Sequence, residues 1–136
     1  MIKRLGLAMA VAIVATASMA ALAPAHVTQV KTNISISYRS NGEGGGAFSG
    51  DLETPANRYC EQRRKIELYR DGAKVDSYET ERYGSWTMGD RVLQPGTYYA
   101  KVLQGQLPAA LQPEPGKKHR IVCKGRVSKK LVVTTP

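Results

Sequence analysis

Few side chains in this 136-residue chain could do chemistry, and their types narrow what that chemistry is. Hydrolysis needs a nucleophile, a base and a group that orients the base. The chain has two histidines, His26 and His119, and contains no Gly-x-Ser-x-Gly or His-Glu-x-x-His run. Glu61, Glu67, Glu79 and Glu81 could in principle pair as glycosidase carboxylates. Their places in alternating runs read instead as a solvated strand face. Gly42 to Gly46 lacks the Gly-Lys-Ser/Thr and the helix that a phosphate loop requires, so it reads as a loop. Asn33-Ile34-Ser35 fits a glycosylation acceptor, a pattern short enough to arise by chance. No catalytic residue and no cofactor are expected.

Cys60 and Cys123 are the two cysteines. An even count without a Cys-x-x-Cys pair reads as a disulfide rather than a metal or redox centre. Closing a loop of about 64 residues would stabilise the fold by about 4 kcal/mol on the chain-entropy account.

The cations carry the most informative pattern. Lys117 to Lys130 holds seven Lys/Arg and no acid. From Lys118 onward, Ile121, Cys123, Val127, Leu131 and Val133 fall on odd positions. Lys118, Arg120, Lys124, Arg126 and Lys130 fall on even ones. An extended segment sends successive side chains to opposite faces. The expectation is a C-terminal strand with its apolar set inward and five cations along its outer face. Gly125 or Ser128 marks a bulge or a break, and Lys129, an odd-numbered cation, marks a shift of parity. Such a face would adhere to an anionic surface in a salt-dependent way. No aromatic residue interleaves these cations, so base stacking and sequence-specific nucleic-acid contact are not expected. The plainer alternative is a solvated face.

The chain opens with a segment that must be set aside before fold reasoning. Lys3 and Arg4 precede an apolar run from Leu5 to Leu22, and small residues follow at Ala21, Ala23 and Ala25. This is the three-part pattern of a secretory signal peptide over residues 1–25, and the competing reading is an uncleaved membrane anchor. Cleavage is expected after Ala25, with Ala23 as the other position, leaving an exported domain of residues 26–136 and no transmembrane segment. Without Lys3 and Arg4, 18 basic residues face 11 acidic ones. A basic exported domain is drawn toward anionic envelope or extracellular polymers. Cleavage after Ala25 would also place the His26 amine and imidazole together, a pair that chelates copper, with His119 as a further nitrogen. That arrangement resembles the N-terminal histidine brace of copper-dependent oxidases and small periplasmic copper carriers. Lys118 and Arg120 beside His119 oppose it.

The elements that must position these groups read as strands. Ile34, Ile36 and Tyr38 alternate with Ser35, Ser37 and Arg39. Phe48, Gly50 and Leu52 alternate with Ser49, Asp51 and Glu53. Arg64 to Tyr69 (RKIELY) turns Ile66 and Leu68 to one face and Lys65, Glu67 and Tyr69 to the other. Asp71-Gly72 is a hairpin signal, followed by a weaker strand from Lys74. Trp86 lies in a short strand, and Pro95-Gly96 leads into TYYAKVL with Tyr98, Ala100 and Val102 inward. Three prolines between Leu107 and Gly116 make a long loop, which an inhibitor could present. No stretch shows a helical period. The pattern predicts an all-β antiparallel sandwich of seven or eight strands with one disulfide.

The order Phe48-x-Gly50-x-Leu52, Cys60, Arg64-x-Ile66-x-Leu68-Tyr69, Gly84-x-Trp86, Pro95-Gly96-x-Tyr98-Tyr99-Ala100-x-Val102, Cys123 resembles small secreted bacterial β-sandwiches of the transthyretin-like or carboxypeptidase regulatory-like type. The resemblance implies an Ig-like or transthyretin-like sandwich and a non-enzymatic accessory role, and it brings no catalytic residues. No enzyme domain is expected beside this module, unlike the usual accessory case, and a fold alone does not set a function. Sugar binding by Tyr69, Tyr99 and Trp86 is the aromatic alternative, although Trp86 suits the core and Tyr98 a strand corner.

Overall fold

A computed structural model of the chain describes residues 26–80, 83–113 and 119–134. The leader, Glu81 and Lys118 lie outside the described residues. The described chain is all-β, with strands β1 His26–Val30, β2 Asn33–Ile34, β3 Ser37–Ser40, β4 Gly45–Glu53, β5 Lys65–Arg70 and β6 Ala73–Glu79. They are followed by β7 Ser85–Val92, β8 Gly96–Val102, β9 Gly105–Gln106, β10 His119–Cys123, β11 Arg126–Val127 and β12 Leu131–Val133. Two short 3-10 turns, Arg58–Glu61 and Ala109–Leu111, are the helical elements among the described residues, and no helix there could cross a membrane.

Among the described residues twelve strands replace the seven or eight expected, because side chains interrupt ladders that the alternation alone reads as continuous. The first expected strand divides into β2 and β3 at Ser35. Its hydroxyl accepts from Asp51 N at 2.8 Å, where a backbone carbonyl would otherwise serve. Ser128 does the same between β11 and β12, its Oγ accepting from Ala100 N at 2.9 Å. β1 and β9 lack a clean alternation, so period-two patterning does not reveal them.

Two antiparallel sheets face each other. One has the order β11-β8-β5-β6, with β12 also on β8. The other has the order β2-β4-β3, with β7 on β4. Phe48, Leu52, Trp86 and Met88 from the second meet Ile66, Leu68, Tyr98, Ala100, Val102 and Val133 from the first in one buried cluster. Burying each large apolar side chain contributes about 1.5–3 kcal/mol. Gly50 shares the inner face of β4 with Phe48 and Leu52 because nothing larger fits. A Cβ there would collide with the Ser35 carbonyl and come 2.9 Å from Trp86 Nε1. Trp86, 1% exposed, is therefore a core residue, and the reading that stacks it on a sugar is corrected. Tyr98 is the strand-corner residue, its ring 4.4 Å from Phe48 and its hydroxyl donating to Gln94 O at 2.6 Å.

A third, smaller sheet runs β1-β10-β9, and its β1–β10 pair is parallel. Around it Val30, Cys60, Leu107 and Cys123 form a second buried cluster, with Ile121 against it. The expected disulfide is present. Cys60 and Cys123 are bonded, with Cα atoms 5.6 Å apart.

Candidate binding surface

The C-terminal cations were expected on the outer face of one extended segment, bulged or broken at Gly125 or Ser128. The chain instead crosses between sheets, and that picture is corrected. Arg120 lies in β10 of the small sheet, opposite Val27. Lys124 follows the disulfide, and Arg126 lies in β11, opposite Val102 of the five-stranded sheet. Three residues, Ser128 to Lys130, then face two, Ala100 and Tyr99, before Leu131 pairs with Tyr98. That extra residue is a bulge at the parity shift signalled by Lys129. Leu131 and Val133 turn inward as expected, but Val127 is 49% exposed and Ser128 is buried. Arg120, Lys124, Arg126, Lys129 and Lys130 are all solvent-exposed. They form a band around the crossing rather than a row.

Arg64 holds the crossing in place. Its side chain is 4% exposed and donates to four backbone carbonyls: Cys60 at 2.8 Å, Leu103 at 2.8 Å, Cys123 at 3.3 Å and Lys124 at 2.9 Å. Burial lowers its pKa to about 10, so it remains charged at neutral pH. A guanidinium suits this task because its planar fork offers five donors in fixed directions. The group thus ties together both ends of the disulfide, the end of β8 and the start of the C-terminal crossing.

Sequence reasoning singled out the C-terminal cations and left out a second set. On the outer face of the five-stranded sheet, Lys65, Glu67 and Tyr69 of β5 lie beside Lys101 and Tyr99 of β8, and Val127 pairs with Lys101. The Tyr69 and Tyr99 rings stack, with centroids 5.0 Å apart and planes within 1°. Glu67 accepts from the Tyr69 hydroxyl at 2.7 Å and lies 3.6 Å from Lys74 Nζ and 3.9 Å from Lys65 Nζ. The Tyr69 hydrogen bond holds the carboxyl below its ordinary value against the opposing effect of desolvation, with Lys74 and Lys65 assisting. The same bond raises the Tyr69 phenol above its ordinary value. Lys65, Lys74 and Lys101 outnumber Glu67 and Glu79, the latter in register with Lys65, and leave this face basic. Its signal was the outward parity of RKIELY.

The other candidates are placed as follows. Glu61 is half-buried and accepts from Thr54 N at 3.1 Å, while Glu79 is exposed on the edge strand β6, opposite Lys65. Of the expected loop, residues 42–44 form a turn closed by Asn41, whose Oδ1 accepts from Glu43 N and Gly45 N, while Gly45 and Gly46 open β4. Of the expected long loop, Leu107 is 5% exposed and the turn Ala109–Leu111 follows, while residues 114–118 lie outside the described residues. The parallel register pairs His26 with His119. Among the described residues, no three His, Cys, Asp or Glu side chains gather as a metal site. Comparison with known family models, with curated proteins and with solved structures finds no match to this chain.

Proposed function

We propose that this protein is an exported, non-enzymatic β-sandwich module that adheres to an anionic envelope or extracellular polymer. The observation that carries the reading is the band at the sheet crossing. All five cations described between Arg120 and Lys130 are exposed, and residues 119–134 contain no acid. Neither ion pair among the described residues uses one of them. Lys65, Lys74 and Lys101 extend the basic area onto the sheet. Exposed cations held on a rigid scaffold retain a polyanion by displacing its counterions, and that retention weakens as salt rises. Reversing Arg120, Lys124 and Arg126 to Glu together should abolish low-salt retention on immobilised heparin while leaving the melting temperature within a few degrees of wild type. Unchanged retention would reduce the band to a solvated surface. The leader predicts that the exported form begins at His26, which the intact mass of secreted protein checks.

A second reading has one specific observation in its favour. The register sets His26 directly opposite His119 on neighbouring parallel strands, two residues that are 93 positions apart in sequence. If the leader is removed after Ala25, the terminal amine joins them, and nitrogen ligands of this kind suit Cu(II). Titrating protein that begins at His26 with Cu(II), beside His26→Ala, should show one site that the substitution removes. Equal affinity in the two would dismiss copper.

A further inference from the structure

Two adjoining clefts open on the side of the molecule that carries the turn Arg58–Glu61. One, of about 580 Å³, is bounded by Arg58, Tyr59, Glu61 and Tyr83. The other, of about 420 Å³, runs on past Arg63 and Gln106 to Cys123, where the basic band begins. Tyr59, Gln62 and Leu111 line both, so the two form one groove.

The local chain explains why the groove is lined this way. Asn57 caps the turn, its Oδ1 accepting from Tyr59 N at 3.0 Å. The turn sends Cys60 inward to the disulfide and leaves Tyr59 53% exposed. Arg63 has φ of 49°, a left-handed conformation that a non-glycine residue adopts only at a cost. That twist leaves Arg63 exposed while the next residue, Arg64, is buried beneath the groove. Gly105 completes the floor, since a Cβ there would press within 3.1 Å of Arg64 Nε. Tyr83 is 69% exposed and Leu111 38%. Tyr59, Tyr83 and Leu111 are thus exposed around one groove, whose other lining includes side-chain amides, the guanidinium groups of Arg58 and Arg63, and the Glu61 carboxylate.

We propose that this groove is a ring-binding subsite for an acidic polysaccharide, in which Tyr59 and Tyr83 stack on sugar rings and Arg58 and Arg63 pair with sugar carboxylates. A pyranose presents an apolar C–H face that suits an exposed tyrosine, and hydroxyls that suit Gln62 and Gln106. A polyphosphate offers the tyrosines no ring. Single-stranded nucleic acid also offers rings, and an alanine pair that loses oligo-dT as strongly as polygalacturonate is the result that would assign the groove to it. The inference rests on the reading that the partner is an anionic polymer, and it narrows that partner to a sugar acid. Continuity of the groove with the band at Cys123 and Lys124 would let one polymer chain use both.

The test measures affinity for polygalacturonate, inorganic polyphosphate and oligo-dT in parallel, at low salt. Its variants are Tyr59→Ala with Tyr83→Ala, Tyr59→Phe with Tyr83→Phe, and the triple reversal of Arg120, Lys124 and Arg126. The alanine pair should weaken polygalacturonate binding at least tenfold and leave polyphosphate within twofold. The phenylalanine pair should bind polygalacturonate within about threefold of wild type, because the stacking face is kept. The inference is overturned by any of three results: wild-type protein that ignores polygalacturonate, an alanine pair that loses nothing, or an alanine pair that loses polyphosphate or oligo-dT equally. A triple reversal without effect on any polymer, beside a tyrosine-dependent polygalacturonate affinity, would overturn the charged band and uphold the groove.

Discussion

At the residue scale, Arg64 contributes more than any cation on the surface. Removing it leaves the carbonyls of Cys60, Leu103, Cys123 and Lys124 without their common donor. A buried acceptor stripped of a charged donor costs about 1–3 kcal/mol, and these four share one side chain. Arg64→Ala should therefore cost about 3–5 kcal/mol by denaturant unfolding, while Arg126→Ala, on the surface, should stay within about 0.5 kcal/mol. Equal costs would refute the clamp. Glu67 makes a pH-dependent contribution whose sign is set by its lowered pKa. Its stabilisation is present above the ordinary value of 4.5 and is lost as pH falls through the lower folded value. The stability difference between wild type and Glu67→Gln should hold near neutrality and shrink below 4.5. A difference constant down to about pH 3 would show the carboxylate to be idle. Both groups were partly legible. Parity puts Arg64 on the same face as Ile66 and Leu68, so a cation on an apolar stripe was the available signal. Its four acceptors come from segments up to 60 residues away and have no local trace.

At the element scale, the alternation located most strands and misjudged where they end. Ile36, Phe48, Leu52, Ile66 and Leu68 were placed on the apolar faces of alternating runs and Tyr98, Ala100 and Val102 inward; all are buried. Period-two patterning reports which face a residue takes, but it is silent on which sheet the strand joins. That is why the segment from Lys118 onward reads as one strand, bulged or broken in two at Gly125 or Ser128, and its described part folds as three, with Val127 outward and Ser128 inward. The crossing depends on the disulfide between Cys60, in the 3-10 turn, and Cys123, at the end of β10. With the cysteines 63 positions apart, replacing both with alanine should cost about 4 kcal/mol. Hydrogen exchange should then accelerate first in β1, β9 and β10, whose cluster contains the bridge, before the two large sheets. Uniform acceleration across all strands would contradict a separately stapled third sheet.

At the scale of the whole molecule, a sandwich core carries an appended small sheet, and the chain that links them bears the charge. The basic balance of the sequence suggests an anionic partner, and its parity places the cations on one ribbon. The folded chain spreads them across the sheet crossing and adds Lys65, Lys74 and Lys101. The exposed groove beside the disulfide had no sequence signature, because Tyr59, Tyr83 and Leu111 come from three separate segments. The most direct test of polyanion adhesion is the slope of log Kd against log salt for heparin. Wild type should show a steep slope, and the protein with Arg120, Lys124 and Arg126 reversed should show one shallower by about 0.7–0.9 for each cation that no longer pairs with the polymer. Identical slopes would mean that these cations do not meet the polymer.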